Sequence, residues 1–145
     1  MNTLTTEAAP LDTIRSLVTC HAKITTGTSG AISTSRLHGL TVTKAARLPG
    51  RYTVQAVDSK NGAVALRLLE TVHVAIWSPT ADNAITAGAG ICWCLRNVNE
   101  TAGTFDVQFF APTQGVSALT NVDAELENGA VFTVQVQSVR NQVTP

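Results

Sequence analysis

The chain has 145 residues, of which 44% are apolar and 14% are charged. This composition excludes an intrinsically disordered chain, and the length fits a single folded domain with one hydrophobic core. Ten basic residues balance ten acidic residues and no basic run is present, so we expect no direct binding to nucleic acid. No apolar run approaches the roughly 20 residues of a membrane-spanning helix, so we expect no membrane partner.

The first ten residues differ in character from the remainder of the chain. Residues 1–10 are polar and threonine-rich and end at Pro10, which predicts an extended N-terminal arm outside the core. They lack the basic start and apolar stretch of a secretion signal, so we expect the protein to stay in the cytoplasm where it is synthesised. The folded domain is predicted to span residues 11–145. At its start, Asp12 ahead of the apolar residues in 14–18 predicts one capped helical turn.

Apolar and polar residues alternate along most of the domain. In residues 18–25, the apolar side chains of Val18, Cys20, Ala22 and Ile24 alternate with polar ones, and this period of two predicts a half-buried strand. The same pattern predicts further strands in the segments Leu40–Val42, Tyr52–Ala56, Val64–Leu68, Val72–Ile76, Ile91–Leu95, Phe105–Phe109 and Phe132–Val136.

Turn signals separate these strands. Leu48–Gly50 holds a Pro-Gly pair typical of tight turns, and Asn61-Gly62 is a dipeptide favoured in two-residue hairpins. Residues 97–103 return the chain into Phe105 and predict a second hairpin. Three segments without a sustained period are predicted to be surface loops: Thr26–Ser35, Thr80–Gly90 and Ala111–Leu126.

Many short strands and no long helical pattern are typical of an all-β fold. The sequence predicts a single-domain antiparallel β-sandwich or barrel of about seven to eight strands, with the extended N-terminal arm beside it. Four residues on the apolar faces of the alternating strands are predicted to be buried in the core: Trp93, Phe105, Val107 and Val134.

Cysteine and histidine residues raise the question of a metal site. Cys92 and Cys94 are separated by one residue, whereas paired zinc ligands are usually two to four residues apart. On a strand this spacing places both thiols on the same face about 7 Å apart. We therefore expect the cysteines to be buried and inert, and we expect no metal.

The sequence contains no recognisable catalytic motif. His21, His38 and His73 lie near hydroxyl residues, and aspartates are present, but neither a nucleophile elbow nor a phosphate-binding loop marks a site. The acidic residues at 123, 125 and 127 precede Asn128-Gly129 and are predicted to form a solvated acidic face. We therefore expect no catalytic residue and no cofactor, and we expect that the protein is not an enzyme.

Two segments carry a resemblance to a known class of protein. Residues 27–57, GTSGAISTSRLHGLTVTKAARLPGRYTVQAV, combine a small polar loop, a Gly-Leu-Thr-Val-Thr strand and a Pro-Gly turn before Arg-Tyr-Thr-Val. Residues 127–141, ENGAVFTVQVQSVRN, add an Asn-Gly turn and a strand that ends in Arg-Asn. Together they resemble small β-rich virion proteins of tailed bacteriophages, most of all the decoration or cement proteins on the outside of the capsid.

The resemblance implies a location and a set of partners. It implies a protein that is made in the cytoplasm of a bacterial host, forms homotrimers and binds the major capsid protein on the virion surface. We expect residues of the arm to contact these partners: Thr3, Leu4, Thr5, Thr6 and Pro10.

Two alternative functions remain open at the level of sequence. A tail or head-fibre component of the virion would have the same composition. A carbohydrate-binding or adhesion β-sandwich would expose aromatic side chains on its loops, whereas Trp77 and Trp93 both fall within predicted strands.

Overall fold

The computed structural model describes residues 13–57, 69–77, 91–114 and 119–143. Within these ranges the chain forms nine strands, and the one helical element is a short 3-10 turn at Thr28–Gly30. The strands in chain order are β1 (Thr13–Thr26), β2 (Ile32–His38), β3 (Leu40–Lys44), β4 (Arg51–Ala56), β5 (Leu69–Trp77), β6 (Cys92–Asn99), β7 (Thr104–Gln114), β8 (Leu119–Asp123) and β9 (Val131–Val143).

The strands form two antiparallel sheets. The first sheet has the order β2-β1-β9-β5, and the second has the order β3-β4-β7-β6, with β8 paired to β7. Buried side chains of both sheets form a single apolar cluster. The prediction of an all-β, antiparallel sandwich or barrel is therefore confirmed, and the arrangement is that of a sandwich.

The long strands β1 and β9 lie at the centre of the first sheet. Their register runs from Thr13 opposite Val143 to Thr25 opposite Val131. Because successive side chains point to opposite faces of a strand, the register places Ala22 opposite Val134 on the inner face. The chain leaves this sheet at Gly39, whose φ of +76° lies in the left-handed region, and enters the second sheet at β3.

Three aromatic rings fill the space between the sheets. Tyr52 lies with its ring centroid 4.8 Å from that of Phe132, which in turn lies 5.1 Å from Phe109. All three side chains are fully buried. Such tilted and edge-to-face ring contacts add to the free energy gained from burial, so this trio links the two sheets at the centre of the core.

The predicted core positions are confirmed with one correction. Phe105, Val107 and Val134 are fully buried, as expected. Trp93 is only half-buried and packs against the rim of the core. Trp93 lies on β6, which is the outermost strand of the second sheet in the described strand order. A described strand therefore flanks its ring on one side only, whereas a residue on a central strand is flanked on both sides.

Several predicted boundaries are corrected by the structure. The helical turn predicted after Asp12 is wrong, because Thr13 already begins β1 and pairs with β9. The loop predicted for Thr26–Ser35 ends earlier, at β2. The third predicted loop contains β8, which pairs with the extended end of β7. Tertiary pairing provides the hydrogen bonds that form these strands, and the short segments show no clear period of their own.

Some predictions lie outside the described residues. They are the arm of residues 1–10, the hairpin at Asn61-Gly62 with its strand Val64–Leu68, and the loop Thr80–Gly90. The described part of the chain contains no helix with the length and apolar character needed to cross a bilayer.

Candidate functional site: edge strand β2 and the outer face of the first sheet

Strand β2 is unusually exposed. It is the outermost strand in the described order of the first sheet and pairs with β1. Six of its seven residues are exposed, on both faces of the strand, and only Ile32 is half-buried. Leu37, on the inner face opposite Ala22, remains 43% exposed. An edge strand of this kind presents main-chain hydrogen-bonding groups to which another chain can add.

Histidine side chains line the outer face of the same sheet. The register places His38 opposite His21, His21 opposite Gln135, and Gln135 opposite His73. All four side chains are exposed. The rings of His21 and His38 are stacked, with centroids 5.2 Å apart and planes inclined by 22°. All three histidines of the sequence therefore lie in one row across the four strands.

Two cations occupy the next row. Lys23 lies directly opposite Arg36, and both are exposed. With Thr25, Thr34 and Ser35 they line a groove of about 210 Å³. Two like charges directly opposite each other on a sheet destabilise it by a few tenths of a kcal/mol or more.

The outer face has the chemistry of a binding surface. Its described side chains beyond the histidines and cations are threonine, glutamine, alanine and valine, and none of them is acidic. Guanidinium and ammonium groups attract negative charge, and imidazole groups can donate hydrogen bonds. In the described part of the chain, no group of three or more His, Cys, Asp or Glu residues is placed to hold a metal ion.

The histidines are not assembled with an aspartate into a triad among the described residues. Asp106 lies on β7 in the second sheet and accepts hydrogen bonds of 2.8 Å from Thr53 and from Asn97. The histidine row lies on the outer face of the first sheet, on the other side of the core. Asp12 and Asp58 lie outside the described residues.

The cysteines are not all buried, which corrects the sequence-based expectation. Cys92 is exposed, and Cys94 and Cys20 are half-buried. Trp93, between the first two, packs against the core, so the thiols of Cys92 and Cys94 point to the outer face of the second sheet. The alternation along β6 was predicted correctly, but the face that packs against the core carries Trp93 and not the two cysteines.

The acidic segment before Asn128 is also corrected. Only Asp123 is exposed, whereas Glu125 and Glu127 are half-buried. The Glu125 Oε1 atom accepts a 2.9 Å hydrogen bond from the Gly50 amide and lies 3.3 Å from the Lys44 Nζ atom. Glu125 therefore fastens the segment after β8 to the turn between β3 and β4, which is a structural role.

Burial raises the pKa of Tyr52, the single tyrosine of the chain. The Tyr52 hydroxyl donates a 2.5 Å hydrogen bond to the Gly30 carbonyl. Burial, and secondarily the negative charge of Glu125, raise the pKa of Tyr52 well above its ordinary value. In the unfolded chain, tyrosine loses its proton near pH 10. The folded state therefore retains a proton that the unfolded state releases, and this contribution to stability is lost as the pH rises above about 10.

This difference predicts an alkaline loss of stability that depends on Tyr52. Between about pH 10 and the raised pKa of the folded state, the free energy of unfolding should fall by about 1.4 kcal/mol per pH unit from this residue alone. Tyrosinate absorbance should rise together with unfolding, since the chain has one tyrosine. Tyr52→Phe should be less stable at neutral pH, because the hydrogen bond is lost, but should show a shallower alkaline slope. Tyrosinate formation in a fully folded protein would contradict the prediction.

The predicted partner-binding residues Thr3, Leu4, Thr5, Thr6 and Pro10 lie outside the described residues. Sequence reasoning did not identify β2 or the histidine row, although the alternation of His21 and Lys23 with Ala22 and Ile24 marked them as outward-facing. No protein-family model matches the chain, and no significant match was found among curated proteins or solved structures.

Proposed function

We propose that this protein is a non-enzymatic structural subunit of a tailed-bacteriophage particle. In this role it is a decoration protein that binds the outside of the capsid and connects neighbouring major capsid subunits. The observation that carries the proposal is the edge strand β2, which is exposed on both faces and flanked by a polar, cationic sheet face. The resemblance of residues 27–57 and 127–141 to virion proteins supports the choice of a phage particle.

Strand addition supplies the mechanism of attachment. A segment of a capsid subunit that pairs with β2 would gain main-chain hydrogen bonds and would cover the exposed side chain of Leu37. A protein bound across subunit boundaries stabilises the assembled shell over the dissociated subunits, because it binds only the assembled state.

The arm and the oligomeric state belong to the same proposal. Copies of the protein associate as homotrimers, and the arm of residues 1–10 reaches a neighbouring copy or the capsid. Its residues Thr3, Leu4, Thr5, Thr6 and Pro10 add a second point of attachment to that made by β2. Two linked attachments hold a subunit more tightly than either one alone.

The proposal is tested on particles made by the bacterial strain whose genome or prophage encodes the chain. Mass spectrometry of purified particles should detect the protein in many copies, and electron microscopy should place it on the capsid. A few copies at the tail would support the tail or head-fibre alternative instead. Absence of the protein from the particles would overturn the proposal.

A variant of β2 tests the attachment surface. Leu37→Lys places a charge on the edge strand, a substitution that natural sheets use to prevent strand addition. We expect about tenfold fewer copies to remain on particles after dilution, with thermal stability changed by no more than about 0.5 kcal/mol. Leu48→Lys is the matched control, since Leu48 is 41% exposed in the turn between β3 and β4. Equal loss of attachment in both variants would exclude β2 as the attachment surface.

A further inference from the structure

Strand β2 is the outermost of the described strands of the first sheet and carries positive charge on one face. Arg36 lies on β2 itself, and Lys23 lies opposite it on β1. We infer that β2 binds an extended, acidic segment of its partner protein, with Asp or Glu residues on the side that faces Arg36. This inference rests on the proposed assembly function and names the partner chemistry of the same surface.

The geometry of strand pairing sets where the acidic residues would lie. A strand added beside β2 places its directly opposed side chains about 5 Å from those of β2, measured between β carbons. A carboxylate at that distance can accept two hydrogen bonds from the Arg36 guanidinium group. The groove of about 210 Å³ beside Arg36, which Lys23 also lines, leaves room for the carboxylate.

The stacked histidines extend the same preference along the strand. His38 and His21 follow Arg36 and Lys23 on the outer face, one row further along. A ring nitrogen of His38 can donate a hydrogen bond to a second acidic residue two positions along the added strand, and the His21 ring is stacked behind it. An alternation of acidic and uncharged residues is therefore the pattern that fits this face best.

A second copy of the chain does not fit this edge. Antiparallel pairing of two β2 strands about a twofold axis normal to the sheet would place both outer faces on the same side. The Arg36 and Lys23 side chains of both copies would then line one continuous surface, next to two histidine pairs. Neighbouring like charges across strands are destabilising, so the edge discriminates against its own copies and favours an acidic strand.

A polypeptide is favoured over other anions because the site includes a main-chain edge. Nucleic acids and inorganic anions can neutralise Arg36 and Lys23, but they cannot continue the hydrogen-bond ladder of a sheet. Binding of a partner strand should therefore change the environment of the backbone amides of Ile32–His38, in addition to that of the cationic side chains.

Two synthetic peptides test the inference with the full-length protein. Both are capped at their ends and as long as β2, and one alternates Thr with Asp, whereas the other alternates Thr with Lys. In nuclear magnetic resonance titrations, the acidic peptide should shift the amide signals of Ile32–His38, with an affinity at least about fivefold above that of the basic peptide. The difference should shrink as the salt concentration rises from about 0.05 to about 0.5 M.

Charge reversal provides the sharpest control. Arg36→Glu should reverse the preference, so that the basic peptide binds more tightly than the acidic one. Arg47→Glu changes the net charge by the same amount in the exposed turn between β3 and β4, and it should leave the preference unchanged. Melting curves of both variants will establish that they are folded.

Three results would overturn the inference. They are equal affinities for the two peptides, no shift in β2 at millimolar peptide, and equal shifts caused by inorganic phosphate at the same charge. The proposed function fails separately: if the protein is absent from particles but retains the peptide preference, only the virion role is lost. If it is present on particles and Arg36→Glu attaches normally, only the acidic-strand inference is lost.

Discussion

Replacing Val134 with aspartate is expected to destabilise the protein by about 4–5 kcal/mol. Val134 is fully buried at the centre of the first sheet, between Ala22 on β1 and Val74 on β5. A carboxylate at this position would face apolar neighbours and could reach no water. Thermal or denaturant unfolding will measure the loss, which is a large part of the 5–15 kcal/mol by which domains are typically stable.

A control on the same strand separates the effect of burying a carboxylate from the effect of placing an aspartate in a strand. Gln135→Asp introduces the same side chain one residue later, on the exposed face between His21 and His73. We expect a change of about 1 kcal/mol or less, since only the strand preference of the residue changes there. Similar losses in the two variants would mean that the register of β9 is wrong.

Gly50→Ala is expected to destabilise the protein by about 3 kcal/mol or more, through the backbone alone. Gly50 has a φ of +66°, in the region that disfavours residues with a β carbon. An added β carbon would lie 2.8 Å from the Phe109 carbonyl oxygen and closer still to that of Ala124. Neither obstacle is a movable side chain, so the turn would have to shift and disturb the 2.8 Å hydrogen bond from the Phe109 amide to the Gly50 carbonyl.

Gly129→Ala is the matched control for this substitution. Gly129 also has a positive φ, of +87°, but an added β carbon would meet no atom within 4 Å. Only the conformational cost of about 1–2 kcal/mol should therefore appear. The difference between the two variants in the free energy of unfolding measures the steric contribution at Gly50. If the two variants unfold at the same denaturant concentration, the close approach of Gly50 to β7 is incorrect.

The turn at Gly50 is held by a hydrogen bond to a segment that is distant in sequence. Its amide donates to Glu125, and Glu125 lies beside Lys44, so a residue predicted to be solvated is instead part of the connection between β8 and β9. Sequence reasoning assigned the Pro-Gly turn correctly from local preferences. The partner of that turn lies 75 residues away and could not be predicted from the segment itself.

The sequence by itself determined the fold class and most of the strands. Alternation of apolar and polar residues identified β1, β3, β4, β7 and β9, and it placed Phe105, Val107 and Val134 in the core. This information is local, because a period of two fixes which side chains share a face whatever the strand pairs with.

Only the tertiary structure decided which strands are central and which lie at an edge. The same alternation occurs in β6 as in β9, yet Trp93 is half-buried and Cys92 exposed, because coverage depends on neighbouring strands and not on the pattern within one strand. The candidate site has the same origin. His21, His38 and His73 lie on three different strands and form one row only because β1 and β5 are in register with β9 and β2 is in register with β1. Register is a property of the pairing, and it is set by the packing of the apolar faces as a whole.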